Sequence, residues 1–394
     1  MRPRSIVRED RFWVDLEDYM DECRGLVVDQ IRRLVPTRSR TSEILYSRML
    51  EYPLRRAKGL RPALCVATCR ALGGRLESAL PSAAALELYH NAFLVHDDVE
   101  DGSEKRRDEP TLHRKYGVPI AVNVGDAMLA LSLQPLLDNM AVVGLSKALR
   151  VLDTVARMSR ESAEGQAVEL EWIHRRTWSP RDADYVRMVY QKTCWYTFIA
   201  PIQVGAVLAG AREAQIRALT RFAIALGVAF QIQDDLLNLE DDDRGYGKEA
   251  LGDLWEGKRT LILMHALRNA SPDDRAEAHA ILDRARPSSS HDGEHTEIRA
   301  ALERLEREGQ LSTRAKTVLS AALRAPPSTV KSTSDVIFLR SLIEKHDSMH
   351  YSRAFARRRV LRAKKTLEEL TWIPDSTHRT FLASLADYVV DRTR

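Results

Sequence analysis

Residues 81–101 read PSAAALELYHNAFLVHDDVED, and their reading decides the fold. Alanine and leucine dominate, no glycine interrupts, and the one proline stands first, where a missing N–H costs a helix nothing. The pattern predicts a helix from Pro81 to Asp101, stopped by Gly102. The same texture continues on both sides. Phe12, Leu16, Tyr19, Cys23, Leu26 and Val27 recur at three- and four-residue intervals, which puts one apolar stripe on an opening helix. Further helices are predicted over about 124–140, 144–172, 181–209, 212–239 and 255–268. Several are apolar on more than one face and so belong inside a bundle. Residues 285–295 and 325–334 break the pattern and read as exposed loops, with Ser334 placed to cap the next helix. Periodicity resumes after each, and no strand or solenoid repeat is predicted. The expectation is an all-α fold: a single large helical bundle over residues 1–394 around a central cavity, its motifs within 45–270.

Composition agrees. The 394 residues include only 18 Gly and 15 Pro, and 6% are aromatic. Charged residues reach 29% but the net charge is only +4, which describes a solvated surface and not a nucleic-acid-binding one. The single candidate patch, Arg353 to Lys365 with Arg357, Arg358 and Arg359 consecutive, spreads its charge over several helix faces. Cys23, Cys65, Cys69 and Cys194 form no CxxC pair and read as core residues of a reducing compartment. The N-terminus carries Arg2 and Arg4, then Glu9, Asp10, Asp15 and Glu17, with no apolar leader. Unbroken apolar runs such as Phe222 to Phe230 are too short to span a bilayer. A soluble, cytoplasmic protein without a transmembrane segment is expected.

The helix of the opening stretch ends in Asp97-Asp98-Val99-Glu100-Asp101, and Asp234-Asp235-Leu236-Leu237-Asn238 ends another. Residues four apart on a helix lie roughly 40° apart and about 6 Å along the axis. Asp97 and Asp101 therefore share a face, and the same spacing joins Asp234 to Asn238. Both clusters follow apolar, buried-type segments, where carboxylates need a compensating partner. Mg²⁺ fits, because it takes one or two carboxylates together with phosphate oxygens. Lys58, Arg61, Arg106, Arg107, Lys192, Lys248 and Lys258 supply the positive charge that a diphosphate substrate demands.

With these residues the chain resembles the trans-isoprenyl diphosphate synthase (polyprenyl synthetase) family, most nearly its geranylgeranyl diphosphate synthases. The resemblance rests on DDxxD at Asp97 followed by the Arg106-Arg107 pair, and on Phe230-Gln231-x-x-Asp234-Asp235. It rests also on Lys58-x-x-Arg61-Pro62, Gln166 in a Glu-Gly-Gln triplet, Lys192-Thr193, and the Gly252 to Leu261 segment. It implies the isoprenoid synthase fold and a Mg²⁺-dependent head-to-tail condensation of isopentenyl diphosphate with dimethylallyl, geranyl or farnesyl diphosphate. Asp97, Asp101 and Asp234 would ligate three Mg²⁺ ions, supported by Asp98 and Asp235. Arg106, Lys192 and Lys258 would neutralise the allylic diphosphate. Lys58, Arg61, His90 and Arg107 would bind isopentenyl diphosphate, with Lys248 nearby. Thr193 and Gln231 would turn oxygen dipoles to the allylic cation, and a homodimer is implied. Three positions depart from the family: Asn238 for Asp, Gly59 for a basic residue, and Asp108 for Gly. The first leaves a neutral jaw on the second metal clamp; the others bear on the strength of isopentenyl diphosphate binding.

Counting back in fours from Asp97 gives Phe93 and Tyr89, about 6 Å and 12 Å deeper. A growing chain must pass them, and Ala92 beside Phe93 opens the wall. The expected product is geranylgeranyl diphosphate, with farnesyl or longer polyprenyl diphosphates as alternatives. A class I terpene cyclase is the less favoured reading, since it has no use for an isopentenyl diphosphate site.

Overall fold

The computed structural model describes residues 15–36, 41–240, 251–286, 301–324 and 330–392. Phe12, Lys248, most of the expected loop 285–295 and half of the expected loop 325–334 lie outside them. The first helices are α1 (Leu16–Leu34), α2 (Ser47–Leu54), α3 (Leu60–Ala71) and α4 (Leu76–Glu100). A two-stranded antiparallel ribbon follows, β1 (Lys105–Arg106) with β2 (Glu109–Pro110). Then come α5 (Leu112–Tyr116), α6 (Val118–Asp138), α7 (Met140–Val143), α8 (Leu145–His174) and α9 (Asp182–Val189). A π-helical stretch, Tyr190–Ile199, carries α9 without a break into α10 (Ala200–Leu208). The chain continues through α11 (Glu213–Glu240), α12 (Gly252–Glu256), α13 (Leu261–Asn269), α14 (Pro272–Leu282) and α15 (301–307). It finishes with α16 (Thr313–Arg324), α17 (Thr333–Lys345), α18 (Ser348–Glu368) and α19 (Thr377–Asp391).

The fold is all-α, and each departure from expectation has a local cause. Helix α4 begins at Leu76, so Pro81 lies inside it and only one backbone donor is lost. The helix expected over 255–268 is split in two, because Gly257 takes a left-handed φ of 74° between α12 and α13. Ser332, not Ser334, caps α17, in a reciprocal box with Asp335. The unexpected ribbon turns on Arg107 and Asp108, both at positive φ (53° and 66°), the geometry that a two-residue hairpin needs.

One apolar core runs from Tyr19 on α1 to Val389 on α19, and α3, α4, α10 and α11 are buried on most of their faces. Helices so enclosed serve as rigid mounts. Their acidic ends are delivered to one place by packing, not by loops. All four cysteines are buried and unbridged. The stretch Val118–Val143 is long and apolar enough, by length and composition, to cross a membrane. In the structure its inner face, including Ala121, Val124 and Met128, packs with Ala92 and Val95 of α4. Its outer face exposes Val122, Leu133, Leu137, Met140 and Val142, interrupted by Asp126 and Asp138.

Candidate active site

Helix α4 carries Asp97 and Asp98 in its last turn and Asp101 as its C-cap. Asp98 is fully buried, and it accepts the Tyr52 hydroxyl at 2.6 Å and the Arg106 Nε at 2.9 Å. Burial opposes the charge on Arg106, but Asp98 and then Asp97 hold its guanidinium well above the ordinary arginine pKa. Asp98 thus orients Arg106. Asp97 meets the cavity itself, its Oδ1 lying 3.3 Å from Lys192 Nζ and its Oδ2 3.5 Å from Arg106. Asp101 pairs with Lys258 at 2.7 Å; burial pushes its carboxyl up, and Lys258 pulls it back.

Helix α11 repeats the plan. Asp235 is buried, accepts the Tyr185 hydroxyl at 2.6 Å and the Gln231 amide at 2.8 Å, and is pushed up by burial and by Asp253. Asp234 lines the cavity and pairs with Arg392. Thr193 donates its hydroxyl to the Gln231 side-chain oxygen at 2.7 Å, which leaves the threonine lone pairs for the cavity.

Lys192 and Thr193 ride on the π-helical stretch, and a glycine lets α8 come close enough to meet them. A Cβ on Gly165 would stand 2.6 Å from the Lys192 Cα, so no side chain fits there. Lys192 also pairs with the buried Glu169. Burial disfavours both charges, but Glu169 and Asp97 hold the lysine protonated, and Lys192 and Lys258 keep the Glu169 carboxyl below its usual range. A Gly165→Ala variant should fall in turnover by about tenfold or more while remaining helical by circular dichroism, since overpacking costs ~1–3 kcal/mol and shifts the lysine. Unchanged turnover would show that α8 yields instead.

The cavity has a volume of about 650 Å³. Lys58, Arg61, His90, Arg106 and Arg107 line it together with Asp97, Lys192, Thr193, Gln231, Asp234 and Lys258. Arg61 lies 4.7 Å from the Tyr196 ring centroid and donates to the Thr197 hydroxyl at 2.7 Å. His90 stacks on the same ring, and burial, with Arg61 and Arg107 beside it, holds its imidazole neutral. Arg107 donates to the Tyr52 carbonyl at 2.8 Å, and burial brings its pKa down to about 10. Lys58 is exposed at the rim, over the Tyr388 ring at 5.4 Å. Phe93 lines the apolar part with Leu94 and Leu129. Tyr89 stands behind it, edge-on at 5.5 Å, and its hydroxyl accepts from Ser159 at 2.6 Å. Ala92, expected to open this wall, is packed instead against α6, because it lies a quarter-turn away from Phe93.

Among the described residues no three metal-ligating side chains converge into a ready cage. Asp97, Asp101 and Asp234 nonetheless each face cationic side chains from other elements: Lys192 and Arg106 at Asp97, Lys258 at Asp101, and Arg392 at Asp234. Positive charge already stands where the carboxylates call for it. Separate carboxylates on two walls fit a hard divalent ion that completes its shell with phosphate oxygens.

The polyprenyl synthetase family pattern matches residues 43–299. The chain belongs to that family. It is 36% identical over 228 residues to a short chain isoprenyl diphosphate synthase of Methanocaldococcus jannaschii, covering 57% of this chain and 67% of the relative. Its fold superimposes on a geranylgeranyl pyrophosphate synthetase from Pyrococcus horikoshii with a TM-score of 0.74 at 28% identity, over 96% of this chain and 98% of the other. A polyprenyl synthase from Caulobacter crescentus, complexed with calcium and isoprenyl diphosphate, gives 0.71 at 27% identity over 96% of each chain. The protein is a trans-isoprenyl diphosphate synthase, a prenyltransferase with the isoprenoid synthase fold.

The synthase accounts for its three departures from the family. Gly59 has φ 66° at the start of α3, where a Cβ would meet the Arg24 Cβ at 2.6 Å and the Met20 carbonyl at 2.9 Å. Close approach of α1 therefore excludes any side chain. Asp108 occupies the left-handed turn position that glycine takes without strain, so the substitution acts on the backbone and removes no contact. Asn238, expected as the neutral jaw of the second clamp, is buried, and its side-chain oxygen accepts the Asp253 N–H at 3.0 Å, which ties the first turn of α12 to α11. Asp253 itself joins Asp234, Asp235 and Lys258 around a recess of the site.

Sequence reasoning missed Tyr52, Tyr185, Glu169, Asp253 and Arg392. Glu169 had a signal, three residues after Gln166 on the same helix face. Asp253 stood within the Gly252 to Leu261 segment without a role of its own, and Tyr52, Tyr185 and Arg392 are joined to the site only by tertiary packing.

Proposed function

We infer that this synthase uses three Mg²⁺ ions to condense isopentenyl diphosphate head to tail with an allylic diphosphate, and that its main product is geranylgeranyl diphosphate. The observation that carries the reading is the single cavity in which two acidic helix ends, two groups of basic residues and an aromatic wall meet. Bound at Asp97, Asp101 and Asp234, Mg²⁺ supplies Lewis-acid neutralisation of the departing diphosphate.

The chain's own residues do the rest. Lys192, Lys258 and Arg106 are charged and nearly buried, so they stabilise the leaving diphosphate without reorganising. The Thr193 oxygen, oriented by Gln231, faces the allylic carbon as positive charge grows there. Arg61, Arg107, Lys58 and neutral His90 hold isopentenyl diphosphate so that its double bond can attack. The released pyrophosphate takes the proton that the new allylic product loses. Phe93, Tyr196 and Leu129 keep water away from the cation.

Product length follows from Phe93 backed by Tyr89. A Phe93→Ala variant should shift the main product upward by at least one five-carbon unit, read by chromatography of the dephosphorylated alcohols. An unchanged distribution would remove Phe93 as the limit. The wider test supplies purified protein with Mg²⁺, isopentenyl diphosphate and each allylic diphosphate in turn. A twenty-carbon diphosphate is expected, and chelation of Mg²⁺ should stop its formation. A cyclic hydrocarbon without elongation would instead favour a cyclase.

The working unit is a homodimer in the cytoplasm. Of the 14 large hydrophobic residues exposed among the described ones, eight lie between Val118 and Leu149, on α6, α7 and the start of α8. So concentrated an apolar face on one side of α6 is suited to a second copy of itself. Sedimentation of the purified protein checks this directly.

A further inference from the structure

We propose that Arg392 is a resident counter-cation of Asp234, one that a divalent ion must displace, so that the last turn of the described chain sets the metal concentration at which this wall loads. The inference rests on the metal reading above. Arg392 caps the end of α19, its N–H donating to the Tyr388 carbonyl at 3.1 Å. Its own carbonyl accepts the Gln233 amide at 3.3 Å, so the backbone is fixed against α11. The guanidinium binds Asp234 Oδ1, donates to the Phe230 carbonyl at 3.1 Å, and lies 4.0 Å from the Phe230 ring centroid.

The cations that face the metal-site carboxylates are not equivalent. When a metal takes Asp97, Lys192 keeps Glu169 and Arg106 keeps Asp98. When a metal takes Asp101, Lys258 keeps Glu256 at 2.9 Å and Asp253 at 3.8 Å. Arg392 has Asp234 as its one ion pair among the described residues. Its side chain is 5% exposed, against 28% for Asp234, so the arginine is the more enclosed partner. A metal approaching Asp234 therefore meets a full, poorly screened positive charge already seated on the same carboxylate. Only part of the guanidinium's donor set holds it there, because the Arg392 Nε is buried without an acceptor.

The test titrates Mn²⁺ alone into full-length protein, reading the free ion by electron paramagnetic resonance. Arg392→Met should bind Mn²⁺ about tenfold more tightly than the parent, the effect of removing one like charge from a half-exposed site. Arg392→Lys, which keeps the charge, should stay near the parent, and adding Asp234→Asn to Arg392→Met should erase the gain. In the unmodified protein, Mn²⁺ should accelerate amide hydrogen exchange at residues 389–392, a readout that needs no variant to fold. Equal affinity of parent and Arg392→Met, or exchange indifferent to Mn²⁺, would overturn the counter-cation role. If Mn²⁺ bound neither protein even with added inorganic pyrophosphate, the metal reading itself would fail.

Discussion

An Asp97→Asn variant should turn over at roughly a thousandth of the parent rate, because several kcal/mol of charge stabilisation leave with one carboxylate. Asp97 is the acidic side chain that the cavity shares most widely. Lys192 and Arg106 both approach it, and Gln166 stands at 3.5 Å. The amide keeps the shape and removes the charge, so the loss should appear in turnover more than in folding. Lys192 retains Glu169 and Arg106 retains Asp98, hence neither cation is orphaned. Initial rates at saturating Mg²⁺ and substrates decide the matter. A loss of less than tenfold would mean that Asp97 is not a ligand.

Asp98→Ala should behave in the opposite sense, destabilising first and inactivating as a consequence. The substitution leaves the Arg106 guanidinium and the Tyr52 hydroxyl buried without their shared acceptor. Breaking a buried pair in this way costs about 3–5 kcal/mol. The midpoint of chemical denaturation should fall accordingly, whereas Tyr52→Phe, which removes one hydrogen bond, should cost about 1 kcal/mol. Equal losses from the two variants would mean that Arg106 finds another partner. A variant that folds normally but is inactive would instead make Asp98 a direct participant in the chemistry.

Much of this could be read in the sequence, because the relevant signals are local. The 3.6-residue period fixed the helices, and the one-turn spacing of Asp97 and Asp101 put both carboxylates on one face. The basic residues were legible because they stand in short motifs beside those carboxylates. What was illegible depends on partners far along the chain. Tyr52 meets Asp98 across 46 residues and Tyr185 meets Asp235 across 50, and nothing in the neighbourhood of either tyrosine announces it. Periodicity alone put Asn238 beneath Asp234, but the peptide of Asp253 takes its amide oxygen. The ribbon escaped notice because Arg107-Asp108 is poor turn chemistry beside the usual Asn-Gly. Ala92 was misassigned because a wall between two helices has two sides, and only packing says which side a small residue serves.

The π-helical stretch makes the number of residues between Tyr190 and Ile199 a working dimension of the enzyme. A wide turn holds one residue more than the α-helical path would need, so the segment is in effect an insertion kept in place by its use. Removing one residue anywhere within it would let α9 and α10 join in ordinary α-register. The remaining side chains on one flank would then rotate by about 100° relative to the other. Lys192 and Thr193 face Asp97 and Gln231, while Thr197, further along, holds Arg61. The loss of a single codon at a position outside the cavity lining would thus turn Lys192 and Thr193 away from Thr197 and the Arg61 that it holds, with every cavity-lining side chain still present.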